Sequence, residues 1–221
     1  MKFFMTTMLV CLIITGCASV PPSVRVAQEA FSHIKLGDDA AGRGEIDTAI
    51  MNYEKALELT PRAPKWRVMY AQLLYLKGLS FDVASHSSLH KTLGRYFDSG
   101  TGEWKKLNQK LSEQETKQEL KVSAEFKQKA LTYFNKALIE LRRCDIEFNF
   151  AEDRVPEAMA LVFIIKEDFD NARIQLRRLL ESSRVRDSYK EDIRKVMKMI
   201  EKHQREIERQ KPPEGLEELG P

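Results

Sequence analysis

Gly44-Glu-Ile-Asp-Thr-Ala-Ile-Met-Asn-Tyr-Glu-Lys-Ala-Leu-Glu-Leu-Thr-Pro61 is the stretch on which the fold turns. Ala49, Tyr53 and Ala56 recur at i, i+4 and i+7, so one helical face carries two small residues with a large ring between them. Small side chains let a second helix approach closely, and the tyrosine ring fills the space that remains. Gly44 supplies a turn ahead of this helix, and Pro61 cannot continue it. Upstream, Leu36-Gly37 lies in a run that also reads as helix. The segment from about Ala30 to Ala63 therefore predicts two antiparallel helices joined at Gly44.

Leu36-Gly37, Gly44, Ala49, Tyr53, Ala56 and Pro61 sit where the tetratricopeptide-repeat family places such residues, and the stretch resembles the second half of one repeat. His33 and Ala40 replace the larger aromatics usual in the family's first helix. Three further units follow at lower resolution. In 64–94, Trp66, Tyr70, Leu73 and Leu74 form an apolar stripe, Gly78 is expected at the turn, and Phe81 and Ala84 open a second helix. In 111–144, Ala130, Phe134 and Ala137 repeat the small/aromatic/small spacing, with no glycine before them. In 153–186, Pro156 suits a helix first turn, Met159, Ala160 and Phe163 continue that helix, and Leu176, Leu179 and Leu180 mark the next. Here Glu167 stands where the family has glycine.

A polar insertion is expected near 95–122. Residues 187–210, with Ile193, Val196, Met197, Ile200 and Ile207 near one stripe, read as a capping helix. Residues 211–221 read as a flexible tail. The resemblance implies an all-α, right-handed helical-repeat solenoid over residues 30–186.

The chain opens Met1-Lys-Phe-Phe-Met-Thr-Thr-Met-Leu-Val-Cys-Leu-Ile-Ile-Thr-Gly-Cys17. One positive charge precedes an apolar run too short for a permanent span, which reads as a secretory leader over 1–16. Ile14-Thr15-Gly16-Cys17 resembles the site cut by lipoprotein signal peptidase, which implies acylation of Cys17. Ala18 in place of an aspartate implies sorting to the outer membrane, facing the periplasm, in a two-membrane bacterium. Residues 17–29 read as a lipidated tether, extended at Pro21-Pro22.

Bulk composition narrows the function classes. With 43% hydrophobic and 31% charged residues the chain has enough apolar material for a core. A net charge of +3 lacks the basic excess of a nucleic-acid binder, so no nucleic-acid partner is expected. Of three cysteines, Cys11 lies in the leader and Cys17 is the acylation site, leaving Cys144 as a lone, buried residue with no disulfide framework. His86 and His90 share a helical face, but no third ligand is near, so no metal is expected. Phosphate loops, nucleophile elbows and zinc-protease motifs are missing from the sequence, so neither a cofactor nor a catalytic role is expected. Arg184 to Lys211 holds ten basic and six acidic residues and reads as a solvated helix surface.

By the resemblance, first-helix residues facing away from their partner helix line a concave groove that receives a peptide. Mapped onto this chain they are Phe31, Ile34 and Asp38, then Lys65, Val68, Gln72 and Tyr75, then Arg154, Glu157 and Leu161. The expected function is a membrane-anchored adaptor that binds a protein partner in the envelope, as in assembly of a pilus, secretin or outer-membrane complex. Two rivals stand beside it: a small-molecule-binding accessory lipoprotein of a transport system, and a recruiter of a cell-wall enzyme. A pocket lined by Phe31, Tyr75 and Arg154 would favour the small-molecule rival.

Overall fold

The computed structural model describes residues 22–98, 101, 103–107, 111–147 and 153–210. The leader, Cys17 and the 211–221 tail lie outside them. Among the described residues the chain is helical apart from one two-stranded hairpin. Its elements run α1 (Pro22–Gly42), α2 (Ile46–Leu59), α3 (Pro64–Thr92), β1 (Arg95–Asp98), β2 (Glu103–Lys106), α4 (Glu113–Arg142), a π-helical turn (Arg143–Glu147), α5 (Arg154–Ile165), α6 (Phe169–Glu181) and α7 (Asp187–Gln210). Residues 22–29, expected in the tether, are the opening turns of α1.

Short connections force antiparallel neighbours, and two of them use the same stop signal. At the end of α1, Gly44 takes φ +76°, its N–H donates to Ala41 O, and Glu45 N–H donates to Ala40 O. That pair of bonds terminates the helix by a left-handed residue and turns the chain into α2. At the end of α5, Glu167 takes φ +58°, its N–H donates to Ile164 O, and Asp168 N–H donates to Phe163 O. Glu167 thus performs the turn that glycine performs in the first pair. Asp168 then caps α6 through its carboxylate, which accepts from Asn171 N–H.

Three helix pairs bury equivalent positions. Ala49, Ala130 and Ala172 are all within 1% of full burial, as are Ala56, Ala137 and Leu179. Between them lie Tyr53, Phe134 and Leu176, also buried. Across each of the first two pairs a glycine makes room for the ring. A Cβ on Gly37 would stand 2.7 Å from Tyr53 Cδ2, and one on Gly78 would stand 2.5 Å from Phe134 Cε1. These alanines, rings and glycines form one continuous core that extends through α5 and α6 to Ile193 and Ile200 of α7.

The second pair differs from expectation. Gly78 makes no turn, because α3 runs through it without a break for 29 residues. Residues 111–144 likewise form no pair of their own; from Glu113 they are the single helix α4. The glycine serves the close approach of Phe134, not a change of direction. Its helix continues as Leu79–Thr92, about 20 Å at 1.5 Å per residue, and the start of α4 returns alongside it. This arm supplies no fully buried apolar side chain: among the described residues the buried hydrophobics jump from Leu74 to Ala130.

Serines join the two helices of the arm. Ser85 Oγ donates to Ser123 O at 2.9 Å and Ser123 Oγ donates to Ser85 O at 3.0 Å, both buried. Nearer its base, Phe81 stacks on Phe126 and Tyr133 at ring distances of 6.1 and 5.6 Å. Ser112 and Glu115 cap the returning helix reciprocally. At the tip, β1 and β2 pair antiparallel, closed at their base by Leu107 N–H donating to Gly94 O at 2.8 Å.

Candidate functional site: an open groove between α3 and α5

Arg67 fixes where α3 sits on α4. Its guanidinium pairs with Glu140 and also donates to Pro61 O at 2.7 and 3.0 Å, with both charged side chains nearly buried. Cys144 Sγ approaches Pro64 O at 3.5 Å at the same end, and burial pushes its thiol up to about 11. Asp145 of the π-helical turn accepts two bonds from Arg178 at 2.6 and 2.8 Å, which ties the end of α4 to α6. With both ends held, α3 and α5 stand side by side without closing on each other.

The space between them is a groove of about 360 Å³. Its floor is Ala71, Leu141, Ala158 and Val162; its walls are Gln72, Tyr75 and Leu76 on one side and Arg154, Glu157 and Leu161 on the other. Leu76 and Leu161 are 46% and 44% exposed, a large apolar surface for side chains that flank a concavity. Tyr75 packs its ring 5.9 Å from Phe134, and burial raises its phenol above the ordinary value. Glu157 accepts a 2.5 Å bond from Tyr189 of α7, which orients the carboxylate from behind. Tyr189 is pushed up to about 12 by burial and by that carboxylate.

Of the ten residues expected in a groove, Gln72, Tyr75, Arg154, Glu157 and Leu161 meet here. Ile34 and Val68 are core residues, 6% and 2% exposed. Both occupy the face of their helix that packs inward, which the mapped register had turned outward. Asp38 accepts the Tyr53 hydroxyl at 2.5 Å and so ties α1 to α2. Phe31, 63% exposed, lies on α1 outside the groove lining, and Lys65 is exposed at the start of α3. Leu76 and Ala158 were missed, although each continues a helical stripe from Gln72 and Arg154 by four residues.

The groove offers apolar contact, one cation and one carboxylate. It holds no nucleophile paired with a base. Among the described residues no cluster of three or more His, Cys, Asp or Glu is placed to hold a metal ion. His86 Nδ1 instead lies 2.9 Å from Asp82 O within its own helix. No described helix is long and apolar enough to cross a membrane. No family model matches the chain, and no curated protein or solved structure matches it either.

Proposed function

We propose that the chain is a non-catalytic adaptor of tetratricopeptide-like build, acylated on Cys17, that holds a protein partner at a bacterial envelope membrane. The partner presents an extended or helical segment to the groove between α3 and α5. One observation carries this reading: exposed Leu76 and Leu161 and half-buried Tyr75 converge on a concave strip with Arg154 and Glu157 on its rim. Apolar anchors inside a charged rim suit an amphipathic peptide, whose side chains bury while its backbone and charges stay at the edge. The equivalent burial of Ala49/Tyr53/Ala56 and Ala130/Phe134/Ala137 supports the repeat reading, since groove-forming helices in such arrays are the first of each pair. The lipobox-like Ile14-Thr15-Gly16-Cys17 supports the anchor, with the outer membrane as the site.

The small-molecule rival draws on a volume that falls within the range of ligand pockets. Against it, Phe31 takes no part in the lining. A photocrosslinking residue placed at Leu161 or Leu76 in the producing bacterium separates the two. The adaptor reading expects one defined protein adduct from both positions, lost with Arg154→Glu, and none from Ile174 on α6, which is equally exposed. Adducts that survive Arg154→Glu, or arise equally from Ile174, refute the groove. No protein adduct, with a small molecule retained in native mass spectrometry, selects the rival.

A further inference from the structure

The two walls of the groove carry the same period. On α3, Met69, Gln72, Leu76, Leu79 and Val83 follow one another by three and four residues in turn. On α5, Arg154, Ala158, Leu161 and Ile165 do the same. Such spacing, averaging about 3.5 residues, keeps a row of side chains in line along one face of a helix. The rest of the chain leaves both rows open. Val83 is 66% exposed and Met69 37%, beside the exposed Leu76 and Leu161, while Leu79, Ala158 and Ile165 are half-buried. Every position but Gln72 and Arg154 is apolar, so the strip is a seam and not an ordinary solvated helix face.

The two rows run the same way. Phe134 of α4 packs on Gly78 of α3, and the neighbouring Asn135 accepts from Lys166 Nζ at 2.6 Å, just past the end of α5. Hence α5 ends level with Gly78, while the start of α3 lies by Glu140 and Cys144, at the other end of α4. Val83 stands beyond the end of α5, so the α3 row carries the seam out of the groove and onto the arm.

This geometry selects the conformation of what lies in it. From Met69 to Val83 the row is about 21 Å long, with a position every 5 Å or so. A third helix with apolar residues at the same spacing meets both rows in step. An extended segment places one side chain per face about every 6.8 Å and falls out of step within a few residues. Its backbone N–H and C=O groups would also lie on apolar side chains without partners, whereas a helix satisfies its own.

A second copy of this chain fits badly. Laid antiparallel on itself, the α3 row sets Leu76 against Leu79, but Gln72 against Val83, Met69 against His86 and Lys65 against His90. Only the middle layer is then apolar on both sides. Charge adds a condition on a foreign helix. Lys65, four residues before Met69, and Arg154, the first position of the α5 row, are exposed cations at the same end. Glu157 beside them is held by Tyr189. That end calls for a carboxylate.

We infer that the occupant is a single amphipathic α-helix of another protein, with apolar residues at alternating three and four spacing and an acid toward Lys65 and Arg154. The groove anchors this helix, and Leu79 and Val83 lengthen its track onto the arm. The inference rests on the adaptor reading, and its test separates the two. In the producing bacterium a photocrosslinking residue is placed at Met69 or at Val83, both exposed enough to be replaced without disturbing the core. Leu161 is the position that tests the adaptor reading itself. Mass spectrometry of the digested adducts locates the attachment point on the captured protein.

The expected result is that Met69 and Val83 mark one segment of one protein, at points about 14 residues apart, as a helix spanning that distance requires. Apolar residues at the same spacing lie between the two points, and an acid lies at the Met69 end. Points about 6 residues apart identify an extended segment and overturn the inference. Attachment to two different segments, a segment lacking that spacing or acid, or adducts of this chain with itself also overturn it. So does an adduct from Met69 and Leu161 with none from Val83, which confines the partner to the groove and leaves the adaptor reading standing. No protein adduct even from Leu161 overturns the adaptor reading and the inference with it.

Discussion

At the scale of single residues, Glu167 shows how one backbone position can be kept by the wrong side chain. It holds φ +58° and makes the bonds that Gly44 makes in the first pair. A side chain in the left-handed region costs about 1 kcal/mol, because Cβ crowds the following carbonyl. Glu167→Gly is therefore expected to raise the stability of the chain by about 1 kcal/mol in urea unfolding, with the slope unchanged. A loss of stability would mean that its carboxylate makes a compensating contact. This turn was legible in the sequence, since Asp168-Phe169-Asp170-Asn171-Ala172 announces a cap and a new helix even without glycine. Gly78 was not legible. A glycine within a helical pattern reads as punctuation, and what fixes its role is Phe134, a ring that only the folded hairpin brings within reach.

At the scale of elements, α1 is tied to α2 and α2 to α3 by a buried phenol that keeps its proton. Tyr53 of α2 donates to Asp38 of α1, and Tyr70 of α3 donates to Glu54 of α2 at 2.6 Å. Burial first, then the accepting carboxylate, raises both phenols well above their ordinary range. Burial also lifts the Cys144 thiol to about 11. In every case the folded chain keeps its proton at a pH where the unfolded chain, with phenols near 10 and thiols near 8.5, has begun to lose it. The native state then binds more protons than the unfolded state, so stability falls as pH rises. The melting temperature is expected to hold up to about pH 8 and to drop above it, first through the thiol and then through the phenols. Tyr70→Phe is expected to flatten part of that slope; an unchanged alkaline slope in this variant would show that the α2–α3 tie is not its source. Half of the groove was legible at this scale, because Gln72/Tyr75 and Arg154/Glu157/Leu161 follow helical spacing. Ile34 and Val68 were misassigned because periodicity gives a stripe, and only packing says which way the stripe faces.

At the scale of the whole molecule, α3 and α4 are one helix pair with a long arm let into its connection. Ala49 follows Gly37 by 12 residues and Ala172 follows Ala160 by 12, whereas Ala130 follows Gly78 by 52. The two alanine-and-ring cores are otherwise alike, so the additional chain lies between Gly78 and Ala130. Sequence reading divided this region into two units because each half carries part of one repeat, while the arm itself has serines and charges at its helix interface and no apolar period to reveal its continuity. Since the arm adds no fully buried apolar residue, the core should not need it. Grafting the first pair's Asp38–Thr48 connector in place of Leu79–Lys129 restores the 12-residue spacing. The shortened chain is expected to remain helical and to unfold in one cooperative step, losing at most the share contributed by Phe81 packed on Tyr133. Its groove, built from α3 before Gly78, Leu141 of α4 and α5, is expected to keep its crosslinks at Leu161. A chain that loses cooperative unfolding would show instead that the arm is part of the folding unit, with the paired serines holding α3 against α4. If cooperativity and the Leu161 adduct both survive, partner binding belongs to the helix pairs of the core and the arm is a separable part of the chain.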